Sequence, residues 1–515
     1  MVAYVILAIY TLALLYITIY CLMQLNLLFA YKRYHQRKAP MPVPASMQQY
    51  ASSLQPVDNT GEIMRGDTGR ECPMVTVQLP IFNEKYVIER LIDAVAAFDY
   101  PRDRFEIHIL DDSTDETVGI VAEKVAAYRA QGIQIEQVCR EKRQGYKAGA
   151  LRDAMPLAKG EFIVIFDADF LPRPDFLQRT MPYFDDEQVG VVQTRWEHIN
   201  EDYSLITRLQ ALQLNVHFTV EQVGRMSGQH FLQFNGTAGI WRRACIDDAG
   251  GWEADTLTED LDLSMRAQLK GWRIKYLEEV SSPAELPAEM NSLKSQQYRW
   301  MKGGAETARK LLPTVWQSDL RWTHKIHAIF HLLASSVFVF VFLMGVFSVP
   351  LLFMLNDLIE LGFNRDWFAW FLTGLLSIIA VYYVANVQAP VHKDPPLRAI
   401  GKFILLFPLF LALSMGLSLH NTVAVIQGYR GKKSPFVRTP KFNIQSLRDS
   451  FVRKAYIMRK LSWTTVFEGV FALYFAGAVY YGITEENLTF ILFHGMLALG
   501  YGAIFFYTLR HLSLK

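Results

Sequence analysis

Apolar residues are concentrated towards the two ends of this 515-residue chain, and a region of short apolar runs alternating with charged segments lies between them. Residues 1–31 contain no Asp, Glu, Lys or Arg, and a run of this length exceeds the roughly 20 apolar residues that a membrane helix needs. Residues 325–515 contain further long apolar runs. The pattern predicts an integral, multi-pass membrane protein in which one soluble domain, 58–324, separates a first membrane helix from a C-terminal membrane domain.

The charges that flank the apolar runs predict the orientation in the lipid bilayer. Four Lys or Arg residues follow the first run before any acidic residue, so the basic flank and linker 32–57 belong in the cytoplasm, with the N-terminus outside and the soluble domain cytoplasmic. Segment 428–463 carries ten Lys or Arg residues and one acid, so it also belongs in the cytoplasm. We therefore predict that 403–429 is a re-entrant or interfacial element, interrupted at Pro408. The predicted crossings are then 1–31, 326–356, 367–391, 461–483 and 487–509, and a sixth crossing by 403–429 is the alternative.

Within the soluble domain, runs rich in β-branched and aromatic residues alternate with helix-like stretches, which include 86–98 and 116–131. The runs predict strands at 74–79, 105–110, 133–138 and 162–166. This alternation predicts an α/β domain with a doubly wound, mainly parallel sheet. In such a sheet, ligands bind beyond the carboxyl ends of the strands.

Carboxylates follow two of these predicted strands. Asp111 and Asp112 follow the second strand, and Asp167 and Asp169 follow the fourth. Hard divalent cations such as Mg²⁺ or Mn²⁺ prefer oxygen ligands of this kind and share them with phosphates, so the sequence predicts a nucleotide–metal site. The chain has no GxxxxGK[ST] sequence, which leaves P-loop chemistry unsupported. The formal net charge of +2 excludes a globally basic nucleic-acid binder.

Four motifs occur in an order that resembles a known family: DDS at 111–113, DAD at 167–169, TED at 258–260 and QQYRW at 296–300. They are similar to the DD, DxD, TED and QxxRW series of the family 2 processive membrane glycosyltransferases, the cellulose synthase superfamily. The sequence between them looks most like the plant cellulose-synthase-like A enzymes, which make mannan and glucomannan, in GYKAGAL (145–151), HFTVEQ (217–222) and FNGTAGIWR (234–242). The resemblance covers about 75–312 and implies a GT-A type fold.

The resemblance also implies roles for individual residues. Asp260 would be the catalytic general base that takes the proton of the acceptor hydroxyl. Asp167 and Asp169 would hold the metal. The residues implied in binding the donor sugar nucleotide are Asp111, Lys147, Asp167, Gln296 and Arg299.

A second group of residues is implied in handling the acceptor. Trp300 offers an apolar face for a sugar ring, and the turn that contains Asn235, Gly236 and Thr237 would lie near the acceptor. Segment 434–442, SPFVRTPKF, resembles the family's gating loop FxVTxK, with Thr439 and Lys441 at the Thr and Lys positions and Arg438 where that motif has Val. No PilZ-like cyclic-dinucleotide domain is expected, because only a short tail follows the last predicted helix.

The function that these features indicate is a processive, inverting β-glycosyltransferase. It would use GDP-mannose or UDP-glucose to elongate a polysaccharide and pass the growing chain through the membrane. One alternative is a single transfer to a lipid, as in the ceramide glucosyltransferases, which have a similar motif set. A second alternative, from a different class, is a transporter with a regulatory nucleotide-binding domain. Against it, Glu468 is the only carboxylate within a predicted crossing.

Overall fold

The computed structural model describes residues 1–37, 72–392, 394–451, 454–456 and 461–513 of the chain. Residues 38–57 of the predicted basic flank and linker, 32–57, and residues 58–71 at the predicted start of the soluble domain lie outside the described residues.

A seven-stranded sheet forms the centre of the soluble domain, in the order β3-β2-β1-β4-β6-β5-β7. Only β6 is antiparallel to its neighbours in this sheet, so the prediction of a mainly parallel sheet is confirmed. The four strands predicted from sequence correspond to β1 to β4. The strands are β1 (Val75–Ile81), β2 (Phe105–Asp111), β3 (Ile135–Cys139), β4 (Phe162–Ile165), β5 (Val189–His198), β6 (Gly239–Arg242) and β7 (Arg273–Ala284).

Helices connect these strands and continue towards the membrane. A π-helical turn, His217–Glu221, joins two of them into one longer helix. The helices up to the membrane domain are α1 (Val2–Arg37), α2 (Ile88–Ala96), α3 (Thr117–Ala130), α4 (Tyr146–Ala154), α5 (Phe176–Thr180), α6 (Leu205–Val216), α7 (Gln222–Ser227), α8 (Arg243–Asp248), α9 (Glu259–Leu269), α10 (Met290–Gln317) and α11 (Trp322–Leu332).

Both faces of the sheet are buried under apolar layers. In β4, Phe162 and Val164 face one layer, whereas Ile163 and Ile165 face the other, as the two-residue period of a strand requires. The second layer includes Leu27 from α1. The end of the first membrane helix therefore belongs to the core of the soluble domain and fixes that domain against the membrane.

Six helices among the described residues are long and apolar enough to cross a membrane, so this is a membrane protein with several candidate spans. The candidate spans are Val2–Arg37, Ala334–Glu360, Phe368–Gln388, Pro396–Gly416, Trp463–Thr484 and Ile491–Ser513. The α-helices of this region are α12 (Val337–Glu360), α13 (Leu372–Tyr383), α14 (Pro396–Gly416), α15 (Ser418–Tyr429), α16 (Trp463–Thr484) and α17 (Ile491–Ser513).

Two helix boundaries differ from the bounds of the predicted crossings. The helix predicted to end at residue 31 continues to Arg37, because no helix-breaking residue separates the apolar run from its basic flank. The crossing predicted to begin at 326 begins later, because residues 326–332 belong to α11 and a 3₁₀ turn, Ala334–Ser336, separates that helix from α12.

The segment predicted as one element, 403–429, consists of two helices. Pro408 lies inside α14, and the break falls at Leu417 between α14 and α15, so the predicted interruption at Pro408 is wrong. The buried face of α14 includes Phe403, Phe407 and Phe410, which pack with residues of α6 in the soluble domain. This contact is what an interfacial helix would make, whereas length and composition alone also admit α14 as a crossing. The five-crossing topology stays a prediction.

Candidate active site

The carboxyl ends of β1, β2 and β4 meet at one edge of the sheet because the three strands are parallel neighbours. Asp111 ends β2 and is 3% exposed. One of its carboxylate oxygens accepts from the Ser113 backbone N–H at 2.8 Å, and the other accepts from Gln137 at 2.8 Å. Asp112 faces the cavity at this edge and pairs with Arg140. Asp111 therefore lies behind the cavity wall, and Asp112 forms part of that wall.

The two carboxylates after β4 are each paired with a lysine. Lys147, at the start of α4, donates to Asp167 Oδ1 at 2.5 Å and to the Gly236 carbonyl at 3.0 Å. Burial lowers the pKa of Lys147, but Asp167 and other carboxylates outweigh this effect and raise it overall. Lys441 donates to Asp169 Oδ2 at 2.7 Å. Two oxygen ligands suited to a divalent cation thus lie in contact with ammonium groups that neutralise them.

The turn before β6 brings backbone close to these groups. Gly236 has φ +79°, and a methyl group built on it would lie 3.1 Å from Asp260 Oδ2 and 3.5 Å from Lys147 Nζ. A larger residue would therefore be strained and would intrude between these two functional groups. Asn235 and Gly236 line the cavity. Thr237 is fully buried, and its hydroxyl accepts from the Asp167 N–H at 2.8 Å, so it supports Asp167 from behind.

Two adjacent carboxylates lie at the N-terminus of α9, opposite Lys147. Desolvation, and then repulsion by Glu259, raises the pKa of Asp260 to about 7. Asp260 Oδ1 accepts from the Leu261 backbone N–H at 2.8 Å. A carboxylate with a pKa near neutrality is suited to taking a proton from a hydroxyl group.

Helix α10 supplies the opposite wall of the cavity. Gln296, Arg299 and Trp300 all line it, as their spacing of three and four residues predicts. Arg299 Nη2 donates to Thr439 Oγ1 at 2.8 Å, and its guanidinium lies 4.6 Å from the centroid of the Phe436 ring. The residues that could grip a diphosphate and stack on a sugar therefore face the same space.

Segment 434–442 completes the cavity. Phe436, Arg438, Thr439 and Lys441 line it together with the strand-end residues. Arg438 forms an ion pair with Glu84 at 2.9 Å. The cavity volume is about 190 Å³, below the roughly 300–1,000 Å³ of most ligand pockets.

A separate carboxylate cluster lies outside this cavity and consists of Glu253, Asp255 and Asp262. All three contact Lys310 Nζ within 2.9 Å. The ammonium group of Lys310 lies among the three carboxylates, and Arg266 also pairs with Glu253 and Asp262, so two basic side chains offset most of the charge of this cluster.

Most of the residues singled out from the sequence line the cavity, although Asp111 and Thr237 do not. The sequence predicts no individual role for Glu84 or Glu259, and it identifies Asp112 and Arg438 only as members of their motifs. Asp112 and Glu259 each adjoin a predicted site residue and could have been found from that proximity. Glu84 and Arg438 meet across 354 positions in the sequence, and only the fold brings them together.

Residues 73–303 match a protein family described as glycosyltransferase like family 2, and this range contains all the cavity-lining strand ends and α9. This stretch of the chain is therefore similar to the family 2 glycosyltransferases.

Curated relatives match about half of the chain. Glucomannan 4-beta-mannosyltransferase 2 of Arabidopsis thaliana is 43% identical over 264 residues, which are 50% of this chain and 49% of the relative. Glucomannan 4-beta-mannosyltransferase 1 of Oryza sativa subsp. japonica is 41% identical over 272 residues, which are 50% of this chain and 51% of the relative. The chain thus matches about half the length of each relative. A solved mannosyltransferase of Pyrobaculum calidifontis, in complex with GDP-Man and Mn²⁺, is 20% identical with a TM-score of 0.48, over 81% of this chain and 100% of that one.

Proposed function

We propose that this protein is a processive, inverting β-mannosyltransferase that uses GDP-mannose to elongate a polysaccharide at the membrane. The relatives that are 41–43% identical over 264–272 residues carry the name glucomannan 4-beta-mannosyltransferase, which supports mannose as the sugar and a β-linkage as the product. The long apolar helices that surround the domain support action at a membrane.

The observation that carries this proposal is the carboxylate of Asp260, with a pKa of about 7, in one cavity with the DxD pair and Lys147. The oxygen of the acceptor hydroxyl attacks the anomeric carbon of the donor sugar while Asp260 takes the hydroxyl proton. The bond between that carbon and the β-phosphate oxygen breaks, and GDP leaves with the electron pair. Attack opposite the leaving group inverts the configuration, so an α-linked donor gives a β-linked product.

The donor side of the cavity must neutralise the charge on the departing diphosphate. Lys147 and Arg299 carry positive charge into this space. Asp167 and Asp169 would hold a divalent cation, Mg²⁺ or Mn²⁺, which supplies additional positive charge to the diphosphate oxygens. Both carboxylates line the cavity and offer the oxygen ligands that such an ion prefers, and Lys147 and Lys441 balance their charge there.

Segment 434–442 is proposed to close over the bound donor. Thr439 contacts Arg299, and Lys441 contacts Asp169, so both residues touch groups assigned to the donor. Helix α10 also contacts the membrane domain directly, because Tyr298 donates to Gln427 at 2.6 Å and His420 hydrogen-bonds the Lys294 carbonyl at 2.9 Å. This contact supports transfer of the product from Trp300 towards the membrane helices, with the catalytic domain in the cytoplasm.

The test is to incubate the purified full chain in detergent with labelled GDP-mannose or UDP-glucose and Mg²⁺ or Mn²⁺. A long product from GDP-mannose that an endo-β-1,4-mannanase digests supports the proposal. A polymer made only from UDP-glucose would contradict GDP-mannose as the donor. A single sugar attached to a lipid would contradict polymerisation and favour the lipid glycosyltransferase alternative.

A further inference from the structure

One acidic residue singled out from the sequence, Glu468, has no part in the mechanism described above. It lies in the second turn of α16, one of the candidate membrane spans, and its side chain is fully buried. An ionisable side chain within a membrane span is costly to bury and commonly serves a function, which its partner helps to identify. The contacts of Glu468 therefore indicate what this residue does.

The partner of Glu468 is Lys294, on the helix that supplies one wall of the cavity. Lys294 is 4% exposed, and its Nζ donates to Glu468 Oε2 at 2.8 Å and to Thr465 Oγ1 at 3.1 Å. Glu468 Oε1 is buried without a hydrogen-bond partner among the described residues. An ion pair buried in this way adds little stability over two apolar side chains, because both charges lose their hydration. What it adds is direction, since it joins one position of α10 to one position of α16.

Helix α10 has one face towards the membrane domain and another towards the cavity. Lys294 and Tyr298 are one helical turn apart and lie on the first face, where Tyr298 donates to Gln427 of α15 at 2.6 Å. The residues of the second face that line the cavity are Gln296, Arg299 and Trp300. A shift of α10 along the membrane domain would therefore move the groups assigned to the diphosphate and to the sugar.

Two neutral contacts lie at the same end of α10 as the ion pair. His420 of α15 donates from Nε2 to the Lys294 carbonyl at 2.9 Å. His511 of α17 accepts at Nδ1 from the backbone N–H of Met290, the first residue of α10, at 3.0 Å. Hydrogen bonds between ionised groups are roughly twice as strong as neutral ones, so the ion pair with α16 is the strongest of these contacts.

We propose that the Lys294–Glu468 ion pair sets the register of α10 on the membrane domain and that both are positioning residues for the transfer reaction. The inference rests on the proposed glycosyltransferase function and assigns part of it to a membrane helix. Without the pair, Arg299 and Trp300 are displaced together, because one helix carries both. A displacement of about 1 Å in a substrate-binding group can cost about 100-fold in rate.

The experiment measures two quantities on the purified full chain in detergent: donor affinity, by calorimetry with GDP-mannose and Mn²⁺, and the KM for a β-1,4-linked manno-oligosaccharide. Glu468→Gln keeps the shape of the side chain but removes its charge. We expect donor affinity to fall and acceptor KM to rise, each at least about fivefold. The pKa of about 7 that Asp260 gives to the pH dependence of the rate should stay unchanged, because this residue lies on α9.

Two double variants separate positioning from a general loss of structure. Lys294→Glu with Glu468→Lys restores an ion pair at the same place, so donor affinity and acceptor KM should return to within about twofold of the wild type. Lys294→Met with Glu468→Leu should fold, because buried ion pairs commonly tolerate replacement by apolar residues. This apolar pair lacks the directional contact and should keep the raised acceptor KM and the weakened donor affinity.

The matched control is Asp394→Asn, which removes a partly exposed ion pair with Lys402 at 2.6 Å elsewhere in the membrane domain. Its donor affinity and acceptor KM should equal those of the wild type. Wild-type values of both in Glu468→Gln or in the apolar pair, even with a lower apparent kcat, would mean that the ion pair only stabilises the fold and would overturn this inference. A charge-swapped chain that folds without recovery would also overturn it. Absence of any sugar transfer by the wild type is a different result and would overturn the proposed function itself.

Discussion

Two pairs of carboxylates face the same cavity, yet their surroundings differ. Asp167 and Asp169 each contact an ammonium group, from Lys147 and Lys441. Glu259 and Asp260 are desolvated neighbours at the start of a helix, and the pKa of each is raised. When the surroundings of the carboxylates in one site give them different pKa values, these carboxylates commonly have different tasks. The first pair is therefore suited to holding cations beside a diphosphate, and the second contains the group suited to accepting a proton.

The largest expected effect comes from removing the proton acceptor. Asp260→Asn keeps the shape of the side chain but cannot take the acceptor proton, and general-base catalysis contributes about 10²–10⁴-fold. We therefore expect kcat for polymer synthesis to fall by at least about 100-fold. Initial rates with saturating GDP-mannose measure this change, and the matched control is Asp255→Asn, an exposed carboxylate outside the cavity. Near-normal synthesis by Asp260→Asn would remove this residue as the base.

The raised pKa of Asp260 predicts how the rate depends on pH. A carboxyl group with a pKa of about 7 is mainly the carboxylate, which is the base form, above pH 7, and it is mainly protonated below pH 7. The rate at saturating substrates should therefore fall roughly tenfold per pH unit below about 6.5, and it should level off above about 7.5. A rate that is constant from pH 5 to 8 would mean that Asp260 titrates at its ordinary value or is not the base.

A smaller effect is expected from the contact between the closing segment and the DxD pair. Lys441→Ala removes a charge-assisted hydrogen bond to Asp169, an interaction of about 1.5–3 kcal/mol, so the segment should open more often. A Pro440→Cys substitution places a cysteine at a buried position of the segment, and in a chain with Cys72 and Cys139 replaced by Ser it should then react at least about fivefold faster with a thiol reagent. Lys432→Ala, in the same loop, is the control. Equal labelling rates in the two variants would show that Lys441 does not hold the segment closed.

The membrane topology gives a prediction that is tested by cysteine labelling and not by an enzymatic rate. The basic segment 428–463 is predicted to lie in the cytoplasm, on the same side as the soluble domain, whose cavity is lined in part by residues within 436–441. A single cysteine at Lys432 should react only with reagents that enter the cell, whereas one at Glu485, in the predicted outside loop, should react from outside. Labelling of position 432 in intact cells by an impermeant reagent would contradict the orientation.

The sequence predicts the sheet and the catalytic motifs because both depend on local patterns. Strands β1 to β4 follow from short β-branched runs, and Asp167 and Asp169 come directly after one of them. Contacts between distant parts of the chain carry no such pattern. The pairing of Glu84 with Arg438 and the burial of Asp111 against Gln137 arise from strand order and loop packing, which the motifs do not specify.

The boundaries of the membrane helices show the same limit. Pro408 is a helix breaker by local rules, but it lies inside α14, where packing of Phe403 and Phe407 on the soluble domain stabilises the helix. The break falls at Leu417, which is neither Pro nor Gly. The preceding residue, Gly416, ends α14 and packs closely on Gly500. Tertiary contacts therefore decide where this segment divides.

The central claim is that the two carboxylate pairs have separate tasks, and donor affinity tests it most directly. Calorimetry with GDP-mannose and Mn²⁺ should give Asp260→Asn the affinity of the wild type within about twofold, because the groups assigned to the diphosphate are unchanged. Asp169→Asn should bind the donor at least about tenfold more weakly, as should the wild type with EDTA in place of the metal, since loss of a charged ligand costs about 1.5–3 kcal/mol. Equal loss of donor affinity in both variants, or donor binding that survives both Asp169→Asn and chelation, would contradict the account.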